Sequence, residues 1–246
     1  MEDHAIQTSP NLYARLGGVL YLIIIVIGGL GEMLVRGTLI VPGDAAATAE
    51  RIRASELLWR TGIAAELVLL ICAVVLTLIF YALLRPVSRD LALLAAFFNL
   101  VSIAIEAVSG LYLLAALFPL ANADYLKALD PKLLDTLAYL SIRSHGQGFG
   151  VSLIFFGCVC LLLGYLIFRS GFLPKAIGVL MQIAGLCYLV NSFALVLSPP
   201  LADRLFPAIL LPALVGETSL CLWLLLKGVD VAEWKARANA QPAAVI

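Results

Sequence analysis

Charge is what this chain has least of. Asp, Glu, Lys and Arg make up only 13% of its 246 residues, about half the share in an average soluble domain. Its 16 bases and 16 acids cancel to a formal net charge of +0, so no overall field draws in nucleic acid. No basic stripe interleaved with aromatics runs through it either, which excludes the usual nucleic-acid footprint. Histidine occurs only at His4 and His145, too seldom for a histidine-rich zinc or haem centre. HExxH and GxSxG are both missing, and so is a phosphate-cradling glycine loop. The run Gly146-Gln147-Gly148-Phe149-Gly150 has glycine spacing, but no strand precedes it and it holds no lysine. It reads as a flexible entry to the helix that follows. The five cysteines all fall in apolar runs. Cys158 and Cys160 stand too close for the common paired-thiolate spacing of zinc sites, so the thiols read as small buried hydrophobes.

Apolar residues take the place of charge. They form 63% of the chain, with a mean hydropathy of +1.05, against roughly 45–50% apolar in soluble domains. A membrane span needs about 20 apolar residues to cross roughly 30 Å of hydrocarbon. Six runs qualify, at residues 12–35, 60–84, 91–118, 149–168, 174–197 and 206–226. Residues 1–10 are acidic and polar, and the first run is long and lacks a small-residue cleavage site, so it is expected to be a retained span. Ser9-Pro10 before it reads as an N-cap and a first-turn proline. Arg169-Ser170-Gly171 reads as a glycine-capped helix end.

The sequence therefore predicts an all-α polytopic membrane protein, six transmembrane helices in a compact bundle. Residues 1–235 form a single domain and residues 236–246 a frayed tail. Two long outer connections are expected to contain interfacial helices. Asp44 is the candidate N-cap of one, running to Trp59, and Asp130-Pro131 opens the other. Six spans put both termini on one side. The short connections there carry Arg85, Arg89, Arg169 and Lys175 against one acid, Asp90, which marks that side as cytoplasmic.

Within this apolar background, Glu32, Glu66, Glu106 and Glu217 lie inside the spans. An ionisable group in hydrocarbon is costly, and it faces a protein interior with a partner or a task. Counting from each span's middle places Glu106 and Glu217 within roughly 3 Å of the bilayer centre. Glu66 falls about 9 Å, Asn191 about 8 Å and Glu32 about 12 Å toward the outer side. His145, with Arg143 and Gln147, is expected at the outer mouth. These six residues, Glu32, Glu66, Glu106, His145, Asn191 and Glu217, are the candidate polar pocket. Converging carboxyls share a proton, bind a cation or complete a ligand pocket; the competing reading has each carboxyl bonded singly to nearby backbone or hydroxyl groups.

Other features refine this picture. Pro212, ahead of Gly216-Glu217, is expected to open the carbonyl ladder of the sixth span near midplane. The four-residue spacing of Ser102, Glu106 and Gly110 predicts close helix contact that turns Glu106 inward. Gly28, Gly29 and Gly31 would admit another backbone near Glu32. Asn99 and Gln182 read as interhelical packing devices. Tyr13, Tyr21, Tyr81, Trp59 and Trp223 read as interface or packing aromatics.

In order along the chain stand Tyr13-Ala14-Arg15-Leu16-Gly17-Gly18, Glu106, and Gly164-Tyr165-Leu166-Ile167-Phe168 leading to Phe172-Leu173-Pro174-Lys175. Gly178, Gly185, Tyr188, Gly216-Glu217 and Trp223-Leu224 follow. Through these residues, from about position 11 to 228, the sequence resembles the bacterial membrane proteins grouped as domain of unknown function 4386. The resemblance implies a bacterial inner-membrane protein with about six spans and assigns no catalytic residue, metal or cofactor. The sequence leaves three functions open. The first is binding or transport of a small or cationic solute through a glutamate-lined, outward-facing pocket. The others are an intramembrane enzyme acting on a lipid-like substrate, with His145 as base, and a structural or regulatory partner of another membrane protein. Expected partners are membrane lipids, a small-molecule or cation ligand, or another membrane protein, and not nucleic acid.

Overall fold

The computed structural model describes residues 9–240, and all six apolar runs are helices long enough to cross a membrane. The spans are α1 (Pro10–Leu39), α3 (Glu56–Leu84), α4 (Arg89–Ala115), α5 (Pro131–Ser170), α6 (Lys175–Leu197) and α8 (Leu211–Leu226, entered through a 3-10 turn at Ala208–Leu210). Shorter helices are α2 (Ala45–Ala54), α7 (Pro199–Leu205) and α9 (Val231–Ala240). No strand occurs among the described residues. Each span packs on its sequence neighbours, and α8 closes the ring against α1.

Local chemistry sets the element ends. Pro10 occupies the first turn of α1, where a missing N–H costs nothing. Ser9 caps through its backbone, its carbonyl accepting from the amides of Leu12 and Tyr13, and its hydroxyl makes no capping bond. Asp44 accepts from the Ala47 amide at 2.9 Å, and Asp130 from the Lys132 amide at 3.1 Å, so both expected caps form. Gly171 ends α5 at φ +80, a left-handed conformation that side chains disfavour.

Two buried clusters divide the bundle lengthwise. One fills the half nearer the termini, around Tyr21, Leu83, Leu166, Met181, Leu220 and Leu224. Backbones meet there directly. A Cβ on Gly18 would stand 2.5 Å from the Leu225 amide nitrogen, and one on Gly178 would stand 2.7 Å from the Gly164 carbonyl oxygen. Trp234 of α9 is buried in the same cluster and donates its indole N–H to the Leu83 carbonyl at 2.9 Å. Residues 236–240, expected as the start of a frayed tail, belong to this docked helix; the rest of the tail lies outside the described residues.

The second cluster caps the opposite, loop end. It gathers Val35 and Leu39 of α1, Ile52 of α2, Trp59 and Ile63 of α3, Leu113 of α4, and Ala138 and Ile142 of α5. Trp59 is 1% exposed and donates to the Leu113 carbonyl at 3.0 Å, so it is a packing residue. Arg53–Asp135 at 2.7 Å and Gly43 N to Tyr139 Oη at 2.7 Å tie the α2 region to α5.

Several expectations change here. The segment opened by Asp130 is not a separate interfacial helix: α5 runs 40 residues without a break. At 1.5 Å per residue it is about 60 Å long, twice the hydrocarbon thickness. The glycines expected to loosen its middle instead let neighbours in. A Cβ on Gly148 would stand 2.1 Å from Ser109 Oγ, and one on Gly150 would stand 2.2 Å from Leu195 Cδ2. Pro212 interrupts nothing, because the α-helix begins at Leu211 and the proline falls in its first turn. Close approach to α1 does not occur at Gly29 or Gly31, where a Cβ would have no neighbour within 4 Å among the described residues. It occurs at Gly62 of α3, where a Cβ would meet Val35 at 2.9 Å.

Candidate functional site

The polar residues of the loop-end half assemble around a break in the regularity of α1. Residues Gly31–Arg36 form a π-helical turn, which inserts one extra residue per turn and re-aims the side chains it carries. Gly62 lets this turn lie against α3 at Val35. One helical turn further along α3, Glu66 then faces Arg36. The Arg36 guanidinium bridges two carboxylates, its Nε 2.6 Å from Glu32 Oε2 and its Nη1 3.1 Å from Glu66 Oε2. Bridging of this kind suits the planar fork of arginine, which presents donors in fixed directions. The Glu66 side chain is 12% exposed and Glu32 is 65% exposed, so the bridge leads from the interior to the bundle surface.

Two more titratable groups face this bridge. Glu106 of α4 has Glu66 and Arg36 as its charged neighbours. Gly110, one turn along α4, borders the Glu66 carboxylate, with a built Cβ 3.8 Å from Oε1. The four-residue spacing predicted an inward face on α4, and Ser102 on that face is buried and donates to the Ser152 carbonyl at 2.9 Å. His145 of α5 lies within Coulombic reach of Glu66, Arg36 and Glu32. It is 6% exposed, so it does not stand in an open mouth with Arg143 and Gln147, which are exposed. Its Nδ1 is 3.2 Å from the Ser109 carbonyl, which can only accept, so Nδ1 donates there. Phe149 stacks on the ring, with centroids 6.4 Å apart.

Glu217 is held separately. The Tyr21 hydroxyl donates to its Oε2 at 3.0 Å, and the Tyr188 hydroxyl donates to Oε1. Three spans, α1, α6 and α8, thus converge on one carboxyl through hydroxyl donors, with no ion pair to it among the described residues. Tyr21, expected as a packing aromatic, is 4% exposed and is one of those donors. Asn191 lies one turn beyond Tyr188 on α6, and its Oδ1 is enclosed with no hydrogen-bond partner among the described residues. Asn99 donates to Thr77 Oγ1 at 2.6 Å, a bond between α4 and α3 that suits a packing role. No group of three or more His, Cys, Asp or Glu side chains among the described residues is placed to hold a metal ion.

Arg36 is the member of the site that sequence reasoning missed. It follows the residue at which the first apolar run was ended, so it was not weighed as an intramembrane group. The available signal was its position four residues after Glu32, the spacing of a helical ion pair.

The family model described as "Domain of unknown function (DUF4386)" matches residues 16–228. The chain belongs to this DUF4386 family. An uncharacterized protein of the archaeon Archaeoglobus fulgidus is 28% identical over 165 residues, covering 67% of this chain and 82% of the relative. DUF4386 membership therefore does not by itself place the chain in a bacterium. No solved structure matches it.

Proposed function

We propose that this DUF4386 protein binds or transports a small or cationic solute through the polar cluster of Glu32, Glu66, Glu106 and His145. The observation that carries this reading is the Arg36 guanidinium seated between Glu32 and Glu66. The protein's own side chain occupies the acids as an internal cation. An incoming cation or proton competes with it, and Arg36, at the end of a π-helical turn, is the element that yields. The cluster holds more acids than bases and lies behind a single exposed carboxylate, which favours positively charged solutes at its entrance. Glu217 of α8, with Tyr21 of α1 and Tyr188 of α6, forms a second polar layer in the same bundle. We place the protein in the plasma membrane of a bacterial cell with both termini cytoplasmic. The basic residues Arg85, Arg89, Arg169 and Lys175 at the terminal end support that orientation.

The test uses purified protein in liposomes loaded with the pH dye pyranine, with imposed gradients of Na+, K+ or tetramethylammonium. At least one gradient is expected to drive a dye response above that of protein-free vesicles. Glu66→Gln and Glu106→Gln should abolish it, with elution and helicity unchanged. A response identical in parent and both variants, or no response to any gradient, would overturn the reading.

A further inference from the structure

A second polar site lies at the loop end, apart from the glutamate cluster. A cavity of about 170 Å³ opens between the α2–α3 junction and the turn that follows α4. Arg53, Glu56 and Arg60 line one side, and Leu117, Leu120 and Asn122 line the other. Each arginine is anchored by an acid: Arg60 Nε to Glu56 at 2.7 Å, and Arg53 Nη2 to Asp135 at 2.7 Å. A guanidinium carries five N–H donors, so these contacts leave most donors of each arginine for a third group. Two guanidiniums lining one cavity suit a tetrahedral oxyanion, whose oxygens accept several N–H bonds at once.

The surroundings narrow the ligand further. Arg60 stands at the start of the apolar run of α3, residues 60–84, so it lies at the boundary between water and hydrocarbon. Leu57 and Phe118, each next in sequence to a lining residue, are 79% and 66% exposed, apolar surface that a lipid could cover. At roughly 30 Å³ per water, the cavity is worth about five or six waters, and it is smaller than pockets for drug-sized ligands of about 300 Å³ or more. That size suits a small polar headgroup better than a large solute.

We infer that the cavity between the α2–α3 junction and the α4–α5 connection binds the phosphate of a membrane phospholipid, with Arg53 and Arg60 holding its oxygens and Leu57 and Phe118 meeting the acyl chains. This phosphate site stands independently of the proposed solute pathway. It makes the lipid a bound component that joins α2, α3 and the α4–α5 connection at the membrane surface.

Native mass spectrometry of the detergent-purified full chain tests this, with phosphatidylglycerol, phosphatidylethanolamine or inorganic phosphate added. One phospholipid is expected to remain bound per chain, and Arg53→Gln/Arg60→Gln should lower its occupancy about tenfold, the scale of losing a charge-assisted contact. Leu120→Trp, which fills the cavity and keeps both charges, should lower occupancy similarly. It decides the matter if the double variant fails to fold. Unchanged lipid occupancy in the variants overturns the inference. So does equal competition by inorganic phosphate, since the site would then read a free anion.

Discussion

Glu66 and Glu217 are the same residue type in similarly apolar helices, yet the fold supports them in opposite ways. Glu217, in the half packed by glycines, is met by two neutral hydroxyls from α1 and α6. Glu66, in the half under the loop-end cap, is met by a guanidinium that it shares with Glu32, with Glu106 and His145 nearby. Hydroxyl donors satisfy a carboxyl in either protonation state and add no charge to the interior. A shared guanidinium stabilises only the ionised form, and it can be displaced by another cation. The first arrangement suits a fixed junction of three helices, and the second suits a site whose occupancy changes.

The comparison can be broken most severely at Arg36. Arg36→Gln removes the cation from two acids and should destabilise the detergent-solubilised protein by about 3 kcal/mol, the lower end for breaking a buried pair because Arg36 remains a quarter exposed. Adding Glu66→Gln should restore part of that loss, a coupling that a double-mutant cycle in SDS titrations reads directly. An additive double variant would mean that the bridge contributes nothing. In the other half the sensitive position is a contact between backbones. Gly178→Ala, forced against the Gly164 carbonyl, should cost about 2 kcal/mol by the same titration. A neutral result would show that α5 and α6 can separate freely.

Smaller effects sharpen the contrast. Tyr21→Phe or Tyr188→Phe should each cost about 1 kcal/mol, the net value of one hydrogen bond, and should leave cation-driven dye responses intact. Loss of those responses would join the two polar layers into one functional unit. Gly146→Ala, at a helical site with open space around a built Cβ, should stabilise by about 0.5 kcal/mol or slightly more. A loss of stability there would mean that α5 needs local looseness near His145.

The fold was legible because scarcity of charge and the lengths of the apolar runs leave few alternatives to a six-span bundle. The membrane requirement also fixes most helix ends within a few residues. The site was only partly legible. Depth and spacing turned Glu66 and Glu106 inward, but depth alone cannot tell which carboxyls share a neighbour, and Glu217 proved to have its own donors. Arg36 was hidden by a boundary drawn at Val35, the last apolar residue before it. Tyr21 looked like an ordinary packing ring because its hydroxyl partner lies 196 positions away. Two local signals misled for a related reason. Glycines at 146–150 and the proline at 212 have several structural uses, and only their neighbours decide among close packing, flexibility and a harmless first-turn position.

The unbroken α5 has a mechanical consequence. About half of its 60 Å length extends past the hydrocarbon, where α2 leans on it through Arg53 and Asp135. The same rigid rod carries His145 and then enters the bilayer beside α4 and α6. Any load borne at the aqueous tip is therefore delivered, lever-fashion, to the imidazole and the acids beside it, with no joint between to absorb the tilt.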